Sequence, residues 1–85
     1  MAALLNHVTK VLADRFADFD HHLQKVRETG RITGFIISTS FRGKDDNKRQ
    51  DMLWNELRAK LPSEDLLRIG AIVAMTPEEA EIHEP

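Results

Sequence analysis

The 85-residue chain has no cysteine. That rules out disulfides, thiolate zinc sites, a thiol nucleophile and an iron–sulfur cluster held by thiolates of its own. Redox compartment stays open, because a thiol-free protein survives in any of them. Long apolar runs are also missing. The opening "MAALLNHVTKVLADRF" is broken by His7, Lys10, Asp14 and Arg15, so it reads as neither a secretory signal nor a membrane span, and a cytoplasmic protein without membrane contact is expected. There is no excess of positive charge either: 12 Lys and Arg stand against 14 Asp and Glu, giving a net charge of −2. No global field attracts nucleic acid, and any such contact must come from a local patch. Internal repeats, low-complexity tracts and linkers are absent. The length suits one domain over residues 1–85, too small for a deep enclosed cleft, so a site would be a surface.

What is present is patterned. Leu4, Leu5, Val8, Val11, Leu12 and Phe16 recur at spacings of three and four, the signature of a one-faced helix. In "FDHHLQKVRETGRITGFIISTSF", β-favouring residues flank Thr29 and Gly30, which predicts a hairpin whose second arm, "GFIIS", is the more buried. A second long helix is predicted to start near Asp45 or Asp46, with Leu53, Trp54, Leu57 and Leu61 on one side and Pro62 ending it. "PSEDLL" reads as a single turn and "RIGAIVAM" as a buried strand. "TPEEAEI" opens a last helix with Thr76 as cap, Pro77 at the first position and Glu79 closing a capping box. The expected fold is α+β, in the order α-β-β-α-(turn)-β-α, a small three-stranded sheet with helices on one face.

Few residues suggest chemistry. "FRGKDD" has a single glycine and two acids after its lysine, so it lacks the framed glycines of a phosphate-binding loop. Arg42, Gly43, Lys44, Lys48 and Arg49 form the one local basic segment, a candidate for partner or nucleic-acid binding, although Asp45, Asp46 and Asp51 among them would repel phosphates. His21 and His22 are weak metal candidates, since neighbours on a strand point to opposite faces. No His-x-x-x-His pair exists, and Ser38, Ser40 and Ser63 lie in no nucleophile elbow. Glu78, Glu79, Glu81 and Glu84 read as a solvated acidic helix rather than paired catalytic carboxylates. An enzyme is not expected, and neither is a bound cofactor.

The element order is similar to the KH fold of RNA-binding domains, but the Gly-x-x-Gly loop that clamps the backbone there is missing. "FRGKDDNKRQDMLWNELRAKL" followed by "AIVAMTPEE" resembles the BolA family, small stress-linked proteins with a KH-like sheet. Phe41, Gly43 and Lys44 match its aromatic-x-Gly-Lys loop, Arg49 the Arg of its Arg-His pair, Trp54 its usual Tyr, Leu57 its Leu, and Thr76 to Glu79 its Thr-Pro-Glu-Glu. The resemblance covers roughly residues 35–79. It implies a regulatory protein that pairs with a monothiol glutaredoxin around a shared [2Fe–2S] cluster, with links to DNA. The departures lie at the ligands. Gln50 stands at the His of the Arg-His pair, Leu67 and Arg68 occupy the region of the cluster-binding His, and "RETGR" offers no hairpin-loop ligand.

The leading expectation is a BolA-like adaptor, monomer or weak homodimer, acting through protein contact. The runner-up is a nucleic-acid-binding domain that uses Arg42 to Arg49.

Overall fold

The computed structural model describes residues 3–83. The expected order of elements is present, and the fold is α+β. Helix α1 spans Ala3–Arg15, strands β1 and β2 span Asp20–Lys25 and Ile32–Ile37, and a short 3-10 turn covers Thr39–Phe41. Helix α2 runs Asp46–Lys60, the single turn α3 Ser63–Leu66, strand β3 Ile69–Met75 and helix α4 Pro77–His83.

The strands lie in the order β1-β2-β3, with β1 and β2 antiparallel and β2 and β3 parallel. The mixed sheet follows from the connections. Six residues join β1 to β2, enough for a hairpin turn, in which the Val26 carbonyl accepts from Gly30 N and Val26 N donates to Arg31 O. Returning from β2 to a parallel β3 needs a crossover, which α2 provides.

The periodic apolar residues of α1 and α2 bury against one face of this sheet. Val8, Leu12, Phe16, Leu53 and Leu57 share a core with Ile32, Ile36, Ile69, Ile72 and Ala74, and Phe41 closes its end against Phe16, with ring centroids 4.8 Å apart. The hairpin divides as its composition predicts: β1 is exposed at every position but Leu23, whereas Ile32 and Ile36 of β2 are buried.

Between Ile32 and Gly34 the β2–β3 register slips, so Gly70 and Ala71 stand against the single residue Thr33. This bulge coincides with Gly34, whose φ of +137° only glycine adopts readily. A Cβ there would lie 2.0 Å from the His22 carbonyl oxygen. Glycine is what lets β1 close on β2 at this point.

Candidate functional site: a locked strand edge and an open sheet face

The segment Arg42 to Arg49 begins with a loop whose turn is made by Gly43 at φ +74°. Asp45 then caps α2, its Oδ1 accepting from Lys48 N at 2.8 Å. One turn further on, Arg49 points inward. Only 8% exposed, it donates to the carbonyls of Lys44 (2.8 Å) and Ala74 (3.1 Å) and forms a two-pronged pair with Glu79, 2.6 and 3.2 Å. Next to it, Gln50 Nε2 donates to Ile72 O at 2.8 Å while its Oε1 accepts from Trp54 Nε1 at 3.2 Å.

These contacts close an edge. Met75 O accepts from Ser38 N across the β2–β3 ladder. By the two-residue alternation of a strand, the carbonyls of Ile72 and Ala74 therefore face the free side of β3. Gln50 and Arg49 occupy both. A partner strand adding to β3 would have to displace them.

Glu79 has two roles in this lock. Its Oε1 also accepts from Thr76 N at 2.8 Å, while Thr76 Oγ1 accepts from Glu79 N at 3.2 Å, the reciprocal capping box legible in the sequence. The Arg49 guanidinium, and then the Thr76 amide, pull the Glu79 carboxyl down to about 2. Arg42 grips Glu78 through a second two-pronged contact on the surface, which raises the Arg42 pKa and lowers that of Glu78.

The structure places Arg42, Gly43 and Lys48 of the basic segment at the surface, with Lys44 half-buried, but withdraws Arg49 from it. Arg49 is turned into the fold and Arg42 is held by Glu78, leaving exposed Lys48 and half-buried Lys44 as its cations free of ion pairs among the described residues. The acidic helix needs the matching correction. Glu78 and Glu79 are not merely solvated but tie α4 to the loop before α2 and to the first turn of α2; Glu84 lies outside the described residues.

Ser38 is fully buried, its hydroxyl donating to Ala17 O and accepting from Ser40 N at 3.0 Å, with Ser40 Oγ accepting from Ala17 N at 3.1 Å. Both hydroxyls bind the end of α1 to the 3-10 turn. Neither stands as a nucleophile beside a base.

The opposite face of the sheet carries the surface that sequence reasoning missed. His22, Phe35 and Val73 stand in register across the three strands, with the His22 and Phe35 rings stacked at 4.6 Å. Ile37 and Met75 form the next row with Asp20. Val73 is 55% exposed, and Phe35 and Ile37 are only half-buried. Strict alternation in "GFIIS" and "AIVAM" would have shown it, but near-continuous apolar runs read as buried on both sides.

As expected from the period of a strand, His21 and His22 part to opposite faces, His21 stacking on Phe19 at 5.7 Å. Among the described residues no three His, Cys, Asp or Glu side chains converge on a metal position. The [2Fe–2S] cluster implied by the BolA resemblance does not fit the residues present: the Gln50 amide is engaged on both sides, and Leu67 and Arg68 have no donor for iron. Comparison with protein-family models, with curated proteins and with solved structures returns no match for this chain.

Proposed function

We propose that this chain is a non-enzymatic, BolA-like adaptor or regulatory domain that acts by contact with another protein. The observation that carries the reading is the apolar row Phe35 and Val73, extended by Ile37, on a sheet face that α1 and α2 leave open. A partly exposed apolar strip on a small domain is a feature of docking surfaces. The locked edge of β3 disfavours strand addition on the side of the sheet where Val73 is exposed. The resemblance of "FRGKDDNKRQDMLWNEL" and "TPEE" to the BolA family adds a monothiol glutaredoxin as the first partner to test, in the cytoplasm, with no cluster ligand supplied by this chain.

The nucleic-acid reading of Arg42 to Arg49 is disfavoured by the pairing of both arginines with glutamates.

The test is size-exclusion chromatography of the chain mixed with a monothiol glutaredoxin. A complex is expected that Val73→Asp abolishes and that Lys44→Glu with Lys48→Glu leaves intact, with the cluster spectrum of the glutaredoxin unchanged. A complex that resists Val73→Asp, or a cluster shift abolished by His21→Ala or His22→Ala, overturns the reading.

A further inference from the structure

The open face is electrically lopsided. At its hairpin end stand Arg31, just before β2, and Arg68, just before β3, with Arg27 in the turn beyond; Lys25 pairs with the buried Ile32 and so belongs to the helix-covered face. Ile32 N donates to Arg68 O at 2.8 Å and Val26 N to Arg31 O at 2.7 Å, so the Arg31 and Arg68 backbones stand at one level of the sheet. All four side chains are exposed, and none takes part in the ion pairs found among the described residues, which join Arg15, Arg42 and Arg49 to glutamates. Glu28 of the turn and Asp65 of α3 are the acids closest to them in sequence, and neither is paired with them.

Arg31 belongs to the open face. It shares the parity of Thr33 and Phe35, and a Cβ built on Gly70 would meet Thr33 Cγ2 at 2.8 Å and Arg31 Cβ at 3.7 Å on that side. The far end of the same face carries Asp20 beside Ile37 and Met75. Along the face the order is therefore cations, then apolar row, then an acid.

We infer that this face takes an extended segment of a partner protein that has apolar residues over Phe35 and Val73 and carboxylates over Arg31 and Arg68. The inference rests on the adaptor reading and names the chemistry of its partner. From Arg31 to Phe35 is four residues of strand, roughly 13 Å at about 3.3 Å each. An extended partner therefore places its acids about four residues from its apolar anchor, on one side only. The anchor supplies affinity by leaving water, and the acids supply orientation and encounter rate. Single-stranded nucleic acid would meet the cations equally well. The apolar row favours a protein segment, because the Phe35 ring is already stacked on His22 rather than free to stack on a base.

The experiment selects a library of random 12-residue peptides on the full-length chain and measures the enriched peptides by fluorescence anisotropy. Enriched sequences are expected to combine an apolar anchor with Asp or Glu about four positions away. Arg31→Glu with Arg68→Glu should weaken them by about tenfold, and raised salt should do likewise. Val73→Asp should remove binding, and circular dichroism checks that these exposed-site variants fold. Peptides without acids, lost on Val73→Asp but indifferent to Arg31→Glu with Arg68→Glu, overturn this inference and leave the adaptor reading standing. Peptides that ignore Val73 overturn both. A 15-residue oligothymidylate that binds, and is released by the double arginine reversal, assigns the cations to nucleic acid and also overturns the inference.

Discussion

Arg49 and Glu79, thirty residues apart in sequence, meet at 2.6 Å and join the first turn of α2 to the first turn of α4. The guanidinium is almost wholly buried, whereas the carboxylate side chain is 42% exposed. Losing the two sides should therefore have unequal effects. Arg49→Met strands the carbonyls of Lys44 and Ala74 as well as Glu79, and should cost about 2–4 kcal/mol in denaturant unfolding. Glu79→Gln keeps a capping side chain at the same position and should cost less, about 1 kcal/mol. Equal losses would show that leaving the buried Arg49 guanidinium without its carboxylate costs as much as losing its carbonyl contacts.

The same pair sets an acid limit. Glu79 is held at about 2 in the folded chain against an ordinary value of 4.5, and Glu78 is lowered in the same direction by Arg42. A lowered carboxyl stabilises the fold at pH above the unfolded value and loses that contribution as pH falls through the folded one. Thermal midpoints should therefore drop between about pH 4.5 and pH 2, and Glu79→Gln should flatten this limb. An unchanged limb in the variant would assign the acid sensitivity to other carboxylates.

How far the sequence could be read depended on range. Asp45, Thr76 and Glu79 act on backbone groups within three residues of themselves, so their caps were legible from spacing alone. The partners of Arg42 and Arg49 lie 36 and 30 residues away, and a mixed run of charge gives no sign of which cations will turn inward. The parting of His21 and His22 follows from strand period. The apolar row that His22 borders depends on register, which includes a bulge that no local pattern announced.

Trp54 shows how a neighbouring position on a helix can mislead. Its place with Leu53, Leu57 and Leu61 on one side of the predicted helix implies a ring buried against the sheet. The three leucines are buried, but Trp54, about 100° round the helix from Leu53, only flanks the core and hydrogen-bonds Gln50. Trp54→Ala should cost about 1–3 kcal/mol, below the roughly 3–5 kcal/mol of a fully buried ring. Chemical denaturation measures this directly, and a loss above that range would place the ring deeper than it lies here.

Gly34 is the position where a single methyl group should do most harm. Gly34→Ala meets both a disfavoured φ of +137° and the His22 carbonyl, which would lie 2.0 Å from the new carbon. A loss of about 2–4 kcal/mol is expected, with hydrogen exchange rising first in β1 as the hairpin parts from the sheet. Wild-type exchange in β1 of that variant would mean the strand accommodates the methyl without moving.

Gln50 and Arg49, by filling the outward carbonyls of Ile72 and Ala74, also set how the β3 edge behaves when crowded. An open strand is a template on which further copies can grow end to end without limit, whereas a strand whose acceptors are filled stops growth at the first unit. The apolar row Phe35 and Val73 then lies beside a β3 edge that does not seed fibres. On β3 the apolar face and the filled edge therefore lie on different sides of the same strand.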